Sequence, residues 1–190
     1  MTAFGGVFKG RRVLLTGHTG FKGSWLALWL QQLGAEVVGL ALPPDTQPSH
    51  WDLLKLGIEE HQFDIRDYDA VQKLVAKVQP EMVFHLAAQP LVRRSYADPL
   101  GTWATNVQGT AHVLEACRHT ASVQAIVAVT TDKCYENQEW LWGYRENDPL
   151  AAMIRIPRRR RVLNSWRPAI GNPISARRVP LRWRPPARAT

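Results

Sequence analysis

Seven residues constrain this chain most. Gly17-His18-Thr19-Gly20-Phe21-Lys22-Gly23 lies between an apolar run, Arg12 to Thr16, and a segment that sets Leu26, Leu30 and Leu33 on one helical face. A strand that enters a glycine-rich turn and leaves as a helix opens a βαβ unit. Glycines there permit a tight turn and let backbone N–H groups approach an anion at the positive end of the helix. The spacing is G-x-x-G-x-x-G, and the competing reading is a merely structural turn. Its place inside a βαβ pattern favours a pyrophosphate cradle.

The pattern continues along the chain. Gly34 ends the first helix by tolerating a left-handed backbone, and Glu36 to Leu40 reads as a second buried strand. His61 to Asp64 is a weaker third strand and Met82 to Leu86 a fourth. Between them, Asp69 to Val78 is an amphipathic helix through Val71, Leu74, Val75 and Val78. A long helix is expected over much of Leu100 to Arg118, with Trp103, Val107, Ala111, Leu114 and Cys117 as its apolar stripe, and Ala125 to Thr130 is the fifth strand. Strands alternating with helices at intervals of roughly 22 to 25 residues, too continuously apolar for a one-sided sheet, predict an α/β, doubly wound parallel sheet. Ligands then gather at the carboxyl ends of the strands.

Charge divides the chain near Leu150. The net charge of +8 would by itself point to nucleic acid. Residues 151–190, however, carry 11 Arg, no Lys and no acid, which leaves 13 basic against 16 acidic side chains, a net of −3, on residues 1–150. The expected organisation is a nucleotide-binding domain over 8–150 and a basic, irregular Arg/Pro-rich tail over 151–190. Cys117 and Cys134 have no metal-like spacing, so neither a disulfide scaffold nor a metal site is expected, and a reducing cytoplasm is the default. Met1 to Gly6 shows no leader pattern and no run of 18 apolar residues occurs, so no membrane association is expected.

The acid that usually holds an adenosine ribose is not cleanly placed, because the second strand runs into Ala41-Leu42-Pro43-Pro44-Asp45. The residues alone leave NAD and NADP open. Asp64 and Ile65 could reach an adenine edge; an ordinary turn-starting Asp is the alternative. His85, in an apolar strand, reads as a buried structural histidine.

Four motifs in order, T-G-H-T-G-F-K-G at 16–23, H-L-A-A-Q at 85–89, N-V-Q-G-T at 106–110 and T-T-D-K-C-Y at 130–135, resemble the extended short-chain dehydrogenase/reductases. Within them the likeness is to the CDP-glucose branch of the nucleotide-sugar 4,6-dehydratases, over about residues 8–150. It implies a Rossmann-like fold and NAD, with Gly17, Thr19, Gly20, Phe21, Lys22 and Gly23 at the pyrophosphate and Asp64 with Ile65 near adenine. Leu86, Ala87, Ala88, Gln89 and Thr130 would line the ribose and nicotinamide side. Asn106 would hold the central helix and active-site backbone, against the alternative of a surface Asn. The implied partner is CDP-glucose, in deoxysugar biosynthesis of the lipopolysaccharide type, and the implied assembly a homo-oligomer.

The implied chemistry is a redox-neutral dehydration. Thr131 would bond the C4 oxygen and Asp132 would protonate the departing C6 hydroxyl. Related dehydratases carry Asp-Glu where this chain has Asp132-Lys133, so Lys133 becomes the candidate C5 base if desolvation lowers its pKa, a solvated loop lysine being the alternative. The family's Tyr-x-x-x-Lys pair is absent: four residues beyond Tyr135 and Tyr144 stand Glu139 and Asp148.

The tail offers an account of that absence. Codons for Ala151 to Arg161, read one nucleotide earlier, permit Gly-Gly-His-Asp-Pro-Tyr-Ser-Ala-Ser-Lys-Ala, whose Asp is forced by Met153-Ile154, and residues 162–167 permit Gly-Pro-Glu-Leu-Val-Ala. A frameshift near codon 150 is therefore expected, leaving a chain without turnover. The rival readings are another nucleotide-sugar epimerase or dehydratase, and a non-catalytic nucleotide-binding module whose basic arm, with Trp166 and Trp183 to stack on bases, binds nucleic acid.

Overall fold

The computed structural model describes residues 3–130 and 135–149. Five strands, β1 (Arg12–Thr16), β2 (Glu36–Ala41), β3 (Glu59–Gln62), β4 (Met82–His85) and β5 (Ala125–Ala128), form one parallel sheet in the order β3-β2-β1-β4-β5. The chain builds outward from β1 to β3, then returns to place β4 on the other side of β1. That reversal puts a topological switch point between β1 and β4, where the loops leaving the two strands part and open a crevice. The doubly wound, Rossmann-like architecture expected from the sequence is the one observed.

The helices are α1 (Phe21–Gln32), α2 (His50–Leu54), α3 (Tyr68–Val78), α4 (Val92–Ala97), α5 (Pro99–Trp103) and α6 (Gly109–Arg118), with a π-helical turn, Ala104–Gln108, joining the last two. On one face of the sheet, α3 and α6 bury Leu14, Val38, Leu40 and Val83 against Val71, Leu74, Val75, Val78, Val113 and Cys117. On the other, α1 and α2 cover Val13, Leu15 and Val37 with Ala27, Leu30 and Trp51. This second layer stops short: Val127 and Val129, which follow Phe84 on that face, are 47% and 39% exposed.

Three expectations need correction. The third strand is Glu59–Gln62, not His61 to Asp64. It is an edge strand of polar residues; Phe63, the apolar residue within the expected span, packs against the core beyond its end, as does Ile65. The long helix is interrupted by the π turn, and along it the buried positions lie one residue before the expected apolar ones from Trp103 to Leu114. Its buried face is therefore Asn106, Thr110, Val113 and Cys117, while Trp103 is exposed. In α1 the buried positions are the small residues Gly23, Ser24 and Ala27 together with Leu30; Leu26 and Leu33 are only partly covered. Small residues there let the helix sit close to the sheet. The expected boundary at 150 and the 151–190 tail lie outside the described residues.

Candidate cofactor site

The glycine turn is shaped by contacts that leave no room for a Cβ. Gly17 sits at φ 77°, in the left-handed region, its N–H donating 2.7 Å to the Leu40 carbonyl. A Cβ on Gly17 would lie 2.7 Å from the Ala87 backbone nitrogen, so the turn leans directly on the segment leaving β4. Gly23, in the first turn of α1, would place a Cβ 2.0 Å from the Gly17 carbonyl oxygen. Gly20 caps α1 in an extended conformation without a side-chain cap. The first N–H groups of a helix have no intrahelical acceptor, and here they face a turn stripped of side-chain bulk. This cradle fits the diphosphate of a dinucleotide.

Neighbouring residues tie the turn down. Thr19 donates its hydroxyl 2.8 Å to the Leu42 carbonyl, joining the turn to the loop after β2. Phe21 is 72% exposed and Lys22 is exposed beside it, free to meet a ligand at the helix start. His18, within the glycine turn, is fully buried beneath it. Its Nε2 lies 3.1 Å from Glu60 Oε2, its ring meets Trp51 edge-on at 4.6 Å, and its Nδ1 has no hydrogen-bond partner among the described residues. No spacing rule marks such a residue, because its partners come from β3 and α2.

Across the crevice, Leu86, Ala87 and Ala88 are partly buried and Gln89 is buried. The Ala87 N–H donates 3.1 Å to Thr16 Oγ1. His85 is bonded through both ring nitrogens, Nδ1 at 2.7 Å from Thr16 Oγ1 and Nε2 at 2.9 Å from Thr110 Oγ1, while Thr110 donates to the Asn106 carbonyl. Buried and bonded on both sides of its ring, His85 ties β1 and β4 to α6. Asn106 is fully buried at the π turn; its Oδ1 accepts from the Gln89 N–H at 2.7 Å and its Nδ2 donates to the Gln89 carbonyl at 2.9 Å. The surface alternative for Asn106 is thereby excluded.

At the end of β3, Asp64 is engaged by Arg66 through the backbone N–H (2.9 Å) and the guanidinium (2.8 Å). Partial burial pushes its pKa upward, but the Arg66 hydrogen bonds and charge outweigh it and hold the carboxyl below its ordinary value. Ile65 packs its side chain into the core against Gly109, and its carbonyl accepts from His112 Nδ1 at 3.1 Å. Thr130 is exposed beyond β5. Thr131, Asp132 and Lys133 lie outside the described residues.

The structure thus brings the glycine turn, the 86–89 segment and Asn106 to one crevice, with Asp64 and Ile65 farther along the strand ends. A cavity of about 320 Å³, lined by Arg12, Glu36, Glu59 and Lys77, lies at the opposite, amino end of β1 and β2. Among the described residues no three His, Cys, Asp or Glu side chains could hold a metal ion, and no helix is long and apolar enough to cross a membrane.

Residues 14–153 match the family model described as GDP-mannose 4,6 dehydratase. The chain is 52% identical over 145 residues to CDP-glucose 4,6-dehydratase of Salmonella typhimurium, covering 75% of this chain and 40% of that one. The fold is similar to UDP-glucose 4-epimerase of Thermotoga maritima, solved with UDP-glucose (TM-score 0.75, 21% identity, 86% of this chain and 52% of that one). It is also similar to UDP-glucose-4-epimerase of Stenotrophomonas maltophila, solved with NAD and formylated UDP-arabinopyranose (TM-score 0.70, 27% identity, 82% and 47%). The chain spans about half the length of these relatives or less.

Proposed function

The chain belongs to the GDP-mannose 4,6 dehydratase family, and from that membership we propose that it is the cofactor-binding part of an NAD-dependent enzyme that dehydrates CDP-glucose to CDP-4-keto-6-deoxyglucose. The observation that carries this reading is the 52% identity to a CDP-glucose 4,6-dehydratase. The side-chain-free cradle at Gly17, Gly20 and Gly23, facing the 86–89 segment across the switch point, supports it.

When bound, NAD supplies a hydride acceptor for C4 of the sugar and a hydride donor for C6. The chain's own residues do the rest. Backbone N–H groups at the start of α1 hold the diphosphate, with Lys22 adding positive charge. Asn106 fixes the Gln89 backbone and with it the wall of the crevice. Thr131 is assigned the C4 oxygen, Asp132 the proton given to the departing C6 hydroxyl, and Lys133 the proton taken from C5. Water leaves and no external reductant is consumed.

The same reading assigns no turnover to the chain as it stands. No Tyr-x-x-x-Lys pair occurs in its 190 residues, so the C4 hydroxyl has no proton acceptor of the family's kind. Residues 151–190 are the product of a one-nucleotide frame slip near codon 150. The test assays CDP-glucose conversion by NMR for this chain and for a version shifted by one nucleotide after that codon. Conversion by the shifted version alone supports the proposal. Conversion by the chain as it stands, or a stop codon soon after the shift, overturns it.

A further inference from the structure

The turn that follows β3 commits nearly all of its polar groups to itself and to α6. A carboxylate has about four acceptor sites, and Arg66 engages three of those on Asp64: Oδ2 faces the guanidinium Nε at 2.8 Å and Nη2 at 2.6 Å, and Oδ1 accepts the Arg66 backbone N–H at 2.9 Å. One acceptor site remains, on Oδ1. The peptide joining Asp64 to Ile65 is fixed through its carbonyl, which accepts from the Asp67 N–H at 3.0 Å. The next peptide is fixed at both ends, by Asp64 Oδ1 and by His112 Nδ1 of α6, 3.1 Å from the Ile65 carbonyl. N–H and C=O of a trans peptide point opposite ways, so the Ile65 N–H is directed away from Asp67, and among the described residues it has no acceptor. The Asp64 side chain is 23% exposed, enough for a ligand to reach it. The turn therefore offers one fixed acceptor and, on the next residue, one fixed donor.

An acceptor next to a donor selects a ligand edge of the opposite pattern. Adenine has that edge, with N6–H2 as donor and N1 as acceptor, whereas hypoxanthine carries O6 and N1–H in their place and inverts it. We infer that Arg66 is the positioning residue that makes this turn discriminate the purine of a dinucleotide, admitting adenine and rejecting hypoxanthine. The inference rests on the reading of the crevice as an NAD site and goes beyond it by assigning the selectivity to a side chain that acts through Asp64. A carboxyl group without such a partner would be able to turn, or to take up a proton and donate to O6, and either event erases the selection. Arg66 prevents both. Its fork fixes the plane of the carboxylate and, against the partial burial that opposes it, holds the group ionised. A lysine would supply the charge without the fork.

Calorimetric titration of NAD and of deamino-NAD, its hypoxanthine analogue, into the full chain and its Arg66→Ala and Arg66→Lys variants tests the inference. The wild-type chain is expected to bind NAD at least about tenfold more tightly than deamino-NAD. Arg66→Ala should lose at least about fivefold in NAD affinity and almost nothing in deamino-NAD affinity, so that the preference falls to about twofold. Arg66→Lys should fall between the two. A merely structural role would weaken both dinucleotides alike and leave their ratio unmoved. A wild-type preference kept in full by Arg66→Ala, or by Arg66→Lys should the alanine variant fail to fold, overturns the inference. So does a wild-type chain that binds both dinucleotides equally, and in each of these cases the NAD reading stands. A wild-type chain that binds neither dinucleotide overturns that reading and the inference with it.

Discussion

The buried ring of His18 is held between Glu60, whose Oε2 lies 3.1 Å from its Nε2, and Gly39, on which a Cβ would lie 2.6 Å from its Nδ1. The same Glu60 oxygen accepts a 3.1 Å hydrogen bond from Trp51 Nε1. One carboxylate therefore fastens the underside of the glycine turn to α2. Among the described residues Nδ1 has no hydrogen-bond partner, so the ring is fastened through Nε2 alone.

This geometry makes position 39 intolerant of even a methyl group. Gly39→Ala should destabilise the fold by about 1–3 kcal/mol through overpacking. The conflict is with one side chain, so combining it with His18→Ala should restore part of the loss. Urea unfolding of the two single variants and the double should give a coupling of about 1 kcal/mol or more. Strict additivity would show that the ring and the glycine do not meet.

The cradle predicts an order of sensitivity among its glycines. A Cβ on Gly23 would meet the Gly17 carbonyl at 2.0 Å, whereas one on Gly20 would stand 3.3 Å from the same atom. The obstacle is backbone, which cannot swing aside as a side chain can. Gly23→Ala should weaken NAD binding at least about tenfold, equivalent to about 1.4 kcal/mol, and Gly20→Ala should cost less. Calorimetric titration of NAD into each variant checks the order, and equal losses would count against the cradle.

Most of this architecture is legible in the sequence because periodicity and glycine spacing are local signals. Strand β1, the glycine turn, α3 with its buried Val71, Leu74, Val75 and Val78, and β4 all follow from them. What was not legible depends on distant partners. Glu60 and Trp51 find His18 only after β3 joins the sheet beside β2. Along the helix through Asn106 the apolar side chains select a stripe that begins at Trp103, while the buried positions one residue earlier, Thr102, Asn106 and Thr110, are polar and carry no hydrophobic pattern. Edge strand β3 carries too little apolar residue to be placed by pattern.

Cys117 gives a test of the α6 packing. Burial pushes its thiol up to about 12, so almost no thiolate exists at neutral pH. Residue-resolved alkylation at pH 8 should leave Cys117 unmodified in the native chain and label it fully in urea. Native labelling at the rate of a free thiol would mean that α6 does not dock on the sheet as described.

Acid should weaken the fold partly through Glu115. Hydrogen bonds from the Arg118 guanidinium, then from His119, lower its pKa from 4.5 to about 2. A carboxylate whose folded pKa is depressed contributes stability above its ordinary value and loses it as pH falls toward the folded one. The contribution is small because the group is solvent-screened. Glu115→Gln should therefore have a slightly lower urea midpoint than wild type at pH 6, with the gap closing between about pH 4.5 and 2. A gap that persists at pH 2 would assign the effect to packing and not to charge.

Asn106 carries the sharpest prediction for the crevice wall. It satisfies both the N–H and the carbonyl of buried Gln89, and each such group left without a partner costs about 1–3 kcal/mol. Asn106→Ala should therefore lower stability by about 3 kcal/mol. Asn106→Asp keeps the acceptor for the Gln89 N–H but turns an anionic oxygen toward the Gln89 carbonyl, so at neutral pH it should be at least as damaging. Burial raises the folded pKa of such a carboxyl, and a group so shifted regains stability as pH falls through that value. Between pH 7 and 5 the aspartate variant should therefore gain on the alanine variant in denaturant midpoint. If the two keep a constant separation across that range, residue 106 does not sit against the Gln89 carbonyl.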